Sequence, residues 1–334
     1  KMKKILCLIL LLIFLLSAGC SKKDSFENDL NALLPPENAE DFDLTMTLLE
    51  ISRLFDPSAD PALMNNELQQ MADRIKTDLG DEANDERIVE IFNKHIFEDE
   101  SFKYNKSVID SKDNNKPLSP QEWLDIRLMH KVISRRDGVC SELSYITLML
   151  GEKTGLPICI IGVPGHAYAR YQPAGKSPIN IEATSSGNEY YDYEDKYNPV
   201  CRGESEYYGK CMSDREAVGF YLGILGGVFR SMKDYKKSDP LFKKALELCP
   251  KNPGFYWDNA EMHWRVEDFE GAIVLMEKAL EIDPESSELN ACTGWLYKSI
   301  KRNFKAEQYF EKALRLDPNS RFSADNLEEL KKTK

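Results

Sequence analysis

The chain has 334 residues, of which 42% are hydrophobic and 30% are charged, proportions typical of a globular protein with two or three domains. The formal net charge is −12, from 56 acidic and 44 basic residues. Nucleic acid is therefore not expected as a partner, because binding it requires a basic excess that displaces phosphate counterions.

The N-terminus has the three parts of an export signal. Lys3 and Lys4 form a basic region, Ile5–Leu16 is apolar, and the small residues Ser17-Ala18-Gly19 precede Cys20. The alternative is an uncleaved anchor, but an apolar run of this length is short for a membrane span.

The string Leu16-Ser17-Ala18-Gly19-Cys20 resembles the lipobox of bacterial lipoproteins, with Ser where Leu is usual. The resemblance implies a signal peptide over residues 1–19 and lipidation of Cys20. It also implies a place in the bacterial cell envelope, lipid-anchored to the membrane and outside the cytoplasm. Residues 20–41 are mostly polar and are predicted to tether the folded part to the membrane.

The next part of the chain is predicted to be mainly helical. Apolar residues recur at helical spacing from Phe42 to His95, with Asp, Pro and Gly breaks, which predicts a helical N-terminal lobe. Lys106–Ser119 is polar and is predicted to be a loop, and Trp123–Ile133 to be a further helix. A predicted unit over residues 42–212 combines this lobe with an αβ core at about residues 120–195.

Three chemically reactive side chains follow in the order thiol, imidazole, carboxylate. Cys140 begins an apolar-periodic run that predicts a helix, and the positive end of a helix favours a thiolate. His166 opens a strand that follows the apolar strand Ile158–Val163. Glu182 lies on a third predicted strand, Ile179–Thr184. Neighbouring strands can hold an imidazole and a carboxylate side by side, facing a thiol on the helix.

The C-terminal third contains an internal repeat of 34 residues, marked by Pro250, Pro284 and Pro318, which is the tetratricopeptide (TPR) period. Small and aromatic residues fill the positions where the helices of such repeats approach: Gly226, Phe229, Phe242, Ala245, Ala260, His263, Ala272, Met276, Ala279, Gly294, Tyr297, Ala306, Phe310 and Ala313. Three repeats are predicted over residues 215–318, with a capping helix over 319–334. This all-α solenoid is expected to bind a protein or peptide partner on its concave face.

The remaining cysteines allow more than one arrangement. Cys201 and Cys211 flank a polar loop and could close a disulfide, which the sequence leaves open. Cys159, Cys249 and Cys292 fall on apolar faces and are predicted to be small core residues. The chain has no Cys-x-x-Cys pair, no His-x-x-x-His pair and no Gly-rich phosphate loop, so neither a metal nor a cofactor is predicted.

Several strings together resemble the transglutaminase-like superfamily: Arg136-Asp137-Gly138-Val139-Cys140, Leu156-Pro157, Gly162-Val163-Pro164-Gly165-His166 and Ile181-Glu182-Ala183-Thr184. They are most similar to its SirB-type bacterial branch, which joins a helical N-terminal region, a reduced core and C-terminal TPR repeats. The resemblance implies an α+β protein with a papain-like αβ core. It also implies Cys140 as nucleophile, His166 as base and Glu182 in the position that usually holds Asp. Members of the branch often lack the cysteine.

Two functions stay open. The first is a membrane-tethered transglutaminase-like thiol enzyme, in which a Cys140–His166–Glu182 triad catalyses amide or thioester hydrolysis or acyl transfer. Hydrolysis is favoured, because water outcompetes another acceptor unless the site excludes it. The second is a non-catalytic TPR lipoprotein scaffold on a degenerate transglutaminase-like fold.

Some details of the predicted site also stay open. Asn180 is an alternative to Glu182 as the partner of the histidine. The backbone N–H of Cys140 is a natural oxyanion donor, but a second donor is not identifiable, since Gln121 and Trp123 lie upstream at no diagnostic spacing. Glu142 is interpreted as a first-turn acid that complements the helix N-terminus.

Overall fold

The computed structural model describes residues 26–34, 42–187 and 207–332. The predicted signal peptide, the lipidation site Cys20, most of the predicted tether and Cys201 lie outside the described residues. Within the described ranges, no helix is both long enough and apolar enough to cross a membrane.

The N-terminal lobe is helical, as predicted. Its helices are α1 (26–33), α2 (Leu44–Phe55), α3 (Pro61–Leu79) and α4 (Asp85–Asn93), followed by a π-helical turn, Lys94–Asp99. Helices α2, α3 and α4 each begin at an Asp or Asn whose side chain accepts a backbone hydrogen bond from the first turn. Their apolar faces pack into one buried core that includes Leu48, Leu68 and Phe92.

Two sequence predictions for the following segment are wrong. The predicted loop 106–119 contains a helix, α5 (Lys106–Asp113), which buries only Val108 and therefore lacks an apolar stripe. The predicted single helix Trp123–Ile133 is two helices, α6 (Pro120–Arg127) and α7 (Met129–Arg135), separated by the extended residue Leu128.

Distant side chains stabilise this break. The Tyr221 hydroxyl donates to the Arg127 carbonyl oxygen at 3.0 Å, and Ser52 Oγ accepts from the Met129 backbone N–H at 2.9 Å. These contacts satisfy backbone groups that a continuous helix would have paired internally. The break therefore depends on tertiary contacts and not on a local sequence signal.

The αβ core is a small antiparallel sheet packed on one helix. Helix α8 (Cys140–Thr154) lies against strands β3 (Ile158–Val163), β4 (His166–Tyr171) and β5 (Ile179–Ile181), which pair in that order. A two-residue parallel pair, β1 (Lys103–Tyr104) and β2 (Asp137–Gly138), precedes α8.

The predicted third strand is too long. It ends at Ile181, and Glu182 caps a 3₁₀ turn over Ala183–Ser185. The side chain of Glu182 forms this cap by accepting a hydrogen bond from the Thr184 backbone N–H. The local capping interaction therefore replaces strand pairing at this position.

The C-terminal region is the predicted array of helix pairs with a final capping helix. The helices are α9 (Asp214–Ser231), α10 (Tyr235–Leu248), α11 (Pro253–Arg265), α12 (Phe269–Ile282), α13 (Ser287–Ser299), α14 (Asn303–Leu316) and α15 (Arg321–Lys332). A Cβ atom on Gly226 would lie 3.2 Å from the Phe242 ring, and one on Gly294 would lie 3.0 Å from Phe310. The small residues thus allow the two helices of a repeat to approach closely.

The first repeat shares its hydrophobic core with the αβ core. One buried cluster extends from Leu30 through α8 to Leu222, Leu248 and Phe255, whereas the later helices surround a second cluster that includes Met276 and Phe310. Tyr145 on α8 donates a hydrogen bond to the Ala217 carbonyl oxygen at 2.6 Å, inside this shared core. Helices α9 and α10 therefore pack as part of the same unit as the αβ core.

The disulfide is not the one that the sequence suggested. Cys211 pairs with Cys159 on β3, with 5.4 Å between their Cα atoms. The reason is that the segment around Cys211 lies along β3, where the Met212 backbone N–H donates to the Ile160 carbonyl at 3.0 Å. Cys159 is buried, as predicted, but is disulfide-bonded, whereas Cys249 is buried with a free thiol.

Replacing both Cys159 and Cys211 with Ala is expected to lower the free energy of unfolding. Loss of a cross-link between residues 52 apart costs about 4 kcal/mol in the chain-entropy view. Denaturant titration of the variant and of oxidised wild type measures the difference. Peptide mapping without reductant is the direct check, and a Cys201–Cys211 peptide would contradict the assignment.

Candidate active site

The thiol of Cys140 stands at the first residue of α8. The preceding residue, Val139, has an extended backbone and provides no side-chain cap, so the N–H groups of the first turn remain available at this end of the helix. Ser144 Oγ donates to the Cys140 carbonyl at 2.7 Å and lies 3.4 Å from the Ala167 carbonyl on β4. Cys140 itself is free and partly exposed.

A tight turn places His166 opposite this thiol. Val163 pairs with His166, so Pro164 and Gly165 are the two turn residues between β3 and β4. Gly165 has φ of +72°, which fits a type II turn with Pro at its second position and Gly at its third. The imidazole is consequently fixed at the start of β4, next to the beginning of α8.

Glu182 fixes the imidazole from the other side. Its Oε2 lies 2.7 Å from His166 Nε2, and its Oε1 accepts from the Thr184 backbone N–H at 2.9 Å and from Thr184 Oγ1 at 2.5 Å. The side chain is only 5% exposed, and both of its oxygens are hydrogen-bonded. Asn180, the alternative partner, instead accepts from Arg170 Nε at 2.7 Å.

The Cys140 thiol lies close enough to the His166 ring to affect its pKa, so thiol, imidazole and carboxylate stand in series. Burial lowers the pKa of His166, but the hydrogen bonds to Cys140 and Glu182 outweigh burial and raise this pKa to about 9. The imidazole is therefore protonated at neutral pH. The structure brings together all three predicted site residues; their catalytic roles remain a prediction.

A buried ion pair, missed by the sequence analysis, lies directly beside the thiol. Arg127 Nη1 lies 2.9 and 2.7 Å from the two carboxylate oxygens of Glu142, and 2.5 Å from Ser141 Oγ. The Glu142 side chain is fully buried, so its charge is balanced by Arg127 in addition to the helix N-terminus. Arg127 and Glu142 are 15 residues apart and belong to different helices, so no local spacing signalled their contact.

Cys140 and His166 open into a cleft of about 250 Å³ between the αβ core and the first two repeats. The αβ side contributes Arg127 and the segment 162–167. The repeat side contributes Phe220, Ile224, Phe255 and Asp258. The sequence predicts the repeats as a separate binding module and contains no local signal for this shared wall.

A thiol at a helix start, an imidazole on an adjacent antiparallel strand and a carboxylate after the next strand define a transglutaminase-like thiol site. Matches to known protein families support this classification. Residues 62–198 match the family model of the transglutaminase-like superfamily, and residues 221–252 and 294–320 match tetratricopeptide repeats. The chain thus contains a transglutaminase-like domain, which includes Cys140, His166 and Glu182, followed by TPR repeats that can engage protein or peptide partners.

Solved TPR structures are similar to about a third of the chain. The Arabidopsis OM64 TPR domain is 21% identical, with coverage of 36% of this chain and 99% of its own and a TM-score of 0.34. The N-terminal domain of stress-induced protein-1 from C. elegans is 22% identical, with coverages of 35% and 97% and a TM-score of 0.33. The second TPR domain of human RPAP3, in complex with an HSP70 peptide, is 18% identical, with coverages of 35% and 98% and a TM-score of 0.34.

The described residues contain no group of three or more His, Cys, Asp or Glu side chains that could hold a metal ion.

The Glu182→Gln variant is expected to lower the pKa of His166 from about 9 towards the ordinary value of 6.5, because it removes a carboxylate that stabilises the imidazolium. NMR titration of histidine side-chain ¹⁵N signals measures this midpoint. Because folding raises this pKa, its contribution to stability is full below pH 6.5 and is lost as pH rises through about 9. An unchanged midpoint in the variant would show that Glu182 does not act on the ring.

Proposed function

We propose that the protein is a lipid-anchored thiol enzyme outside the cytoplasm that hydrolyses amide or thioester bonds in polypeptides. The observation that carries this proposal is the Cys140–His166–Glu182 series, in which a solvent-accessible thiol contacts an imidazole held by a buried carboxylate. Each of the three groups has the contact that nucleophilic catalysis requires.

The reaction proceeds in two steps. Cys140 Sγ, as the thiolate, attacks the carbonyl carbon, and the carbonyl oxygen becomes an anion near the Cys140 N–H. The bond to the leaving amine or thiolate then breaks, and His166 donates its proton to that group. In the second step, water loses a proton to His166 and attacks the acyl-thioester, the C–S bond breaks to release the carboxylic acid, and the thiolate–imidazolium pair is restored.

The openness of the site favours hydrolysis over acyl transfer to another molecule. Cys140 is partly exposed at a cleft that is open to solvent. Water therefore has access to the acyl-enzyme, whereas selective transfer would require a closed site that excludes it.

The repeat wall of the cleft favours polypeptide substrates. A second groove of about 320 Å³ adjoins the cleft and shares Arg127, Ile224, Phe255 and Asp258 with it. This groove continues along α9 past Gly227, where an added Cβ would meet nothing within 4 Å. An extended polypeptide segment bound along the first repeats would thus lead directly to Cys140.

Two observations support the proposed location. The N-terminal string ending at Cys20 resembles a lipobox, and the Cys159–Cys211 disulfide is of a kind that persists in oxidising compartments. Lipidation of Cys20 would hold the cleft near the membrane surface.

Replacing Cys140 with Ala is expected to reduce hydrolysis of 4-nitrophenyl acetate, a small activated ester, by at least about 10³-fold, because the nucleophile is lost. Release of nitrophenolate, followed by absorbance, measures the rate. Cys292→Ala is the matched control, since Cys292 is the other partly exposed free cysteine in the described residues. Full activity in Cys140→Ala would contradict the enzymatic proposal and favour the scaffold function.

Gly227→Trp is expected to raise the KM for an unfolded polypeptide such as denatured casein by about tenfold or more, because the indole occupies the groove. Hydrolysis of 4-nitrophenyl acetate should stay unchanged, since that ester needs only the cleft. Gly227→Ala is the control for helix propensity. Casein left uncut by an enzyme that hydrolyses the ester would contradict the polypeptide substrate class.

A further inference from the structure

A thiol enzyme of this kind must stabilise the oxyanion that forms when the thiolate attacks a carbonyl group. The Cys140 backbone N–H at the start of α8 is one donor for this anion. Gln121 and Trp123 are not among the residues that line the cleft with Cys140 and His166.

Arg127 contributes a guanidinium group to the lining of this cleft. It is the last residue of α6 and lines the cleft together with Cys140, Ser141 and His166. Its guanidinium is bound by Ser141 and Glu142, the two residues that directly follow Cys140 in the first turn of α8. The guanidinium is close enough to interact electrostatically with the Cys140 sulfur.

The guanidinium of Arg127 has N–H groups that are not used in hydrogen bonds. Of its three nitrogens, Nη1 binds Glu142 and Ser141. Nε is buried and has no hydrogen-bond acceptor. Nη2 makes no hydrogen bond to any group in the part of the chain that the structure describes, and the Arg127 side chain, which lines the cleft, is 19% exposed. An arginine carries five N–H donors, so the N–H groups of Nη2 remain for a substrate oxygen.

The guanidinium is also held rigidly. Its central carbon lies 5.2 Å from the centroid of the Trp123 ring, and Glu142 binds it through both carboxylate oxygens. A donor that is fixed before the reaction stabilises a developing charge without reorganisation. Glu142 balances the positive charge in the resting site, so a buried cation can be kept there.

We propose that Arg127 is the second oxyanion donor and that Nη2 hydrogen-bonds to the anionic oxygen of the tetrahedral intermediate. This assignment rests on the proposed thiol-enzyme function. With 4-nitrophenyl acetate, the Cys140 thiolate forms a C–S bond to the acetyl carbon, and the carbonyl electrons move to the oxygen between the Cys140 N–H and Arg127. Those electrons then re-form the carbonyl, and 4-nitrophenolate leaves with the electrons of the broken C–O bond.

Comparison of two reactions at the same thiol tests the assignment. Acylation by 4-nitrophenyl acetate passes through an oxyanion, whereas alkylation by iodoacetamide displaces iodide and forms none. Both require the thiolate, so the ratio of the two rate constants at one pH cancels any effect of Arg127 on the thiolate population. The test variant is Arg127→Met with Glu142→Gln, which avoids an unpaired buried carboxylate. Its reference is Glu142→Gln alone, which retains the guanidinium.

The ratio of acylation to alkylation is expected to fall by about 10²-fold or more in the double variant relative to the reference, as for loss of one oxyanion donor. An unchanged ratio would overturn the assignment and leave Arg127 as a structural partner of Glu142. If the double variant does not fold, Arg127→Lys is compared with wild type in the same way. Lysine keeps the positive charge but lacks the second nitrogen atom that would bind the oxyanion while the first binds Glu142. Failure of wild-type Cys140 to react with either reagent would instead contradict the proposed function itself.

Discussion

Burial of helix α8 is the constraint on which the rest of the structure depends. Every residue from Ser141 to Gly151 is buried, so the helix contacts other elements on all sides. Glu152, beyond this segment, accepts hydrogen bonds from the first backbone N–H groups of α2 at 2.9 and 3.0 Å. Tyr145 binds the start of α9. One helix therefore orients the N-terminal lobe and the first repeat, and its first residue is the thiol.

Each charged side chain that is buried in the site is paired with a group of opposite charge. Isolated charges are costly to bury, and pairing them recovers part of the cost when hydrogen bonds satisfy the remaining atoms. Glu142 meets this condition through Arg127, and Glu182 meets it through His166 and Thr184. The site thus combines two buried ion pairs, Arg127–Glu142 and His166–Glu182, which keep the side chains around the cleft in fixed positions.

The sequence predicted those features that have a local or periodic signal. The helical lobe, the 34-residue repeats and the elements bearing Cys140 and His166 follow from apolar spacing and turn residues. The helix over Lys106–Asp113 was missed because it has almost no buried face. The break after Arg127, its ion pair and the pairing of Cys159 depend on contacts between residues far apart in the chain, which no spacing rule encodes. The resemblance gave Glu182 its proposed role, but its capping position after β5 became visible only in three dimensions.

The Cys159–Cys211 bond has a consequence for the integrity of the chain. It closes a covalent ring, and both His166 and Glu182 belong to that ring, whereas the thiol lies outside it. A protease that cuts once between residues 159 and 211 would therefore leave the two fragments joined. His166 and its carboxylate partner would stay covalently attached to the rest of the molecule as long as the surroundings remain oxidising. A protein that works outside the cytoplasm is exposed to proteases and is not resynthesised where it acts. In the location proposed for this protein, the disulfide would keep the chain in one piece after a single cut within the ring.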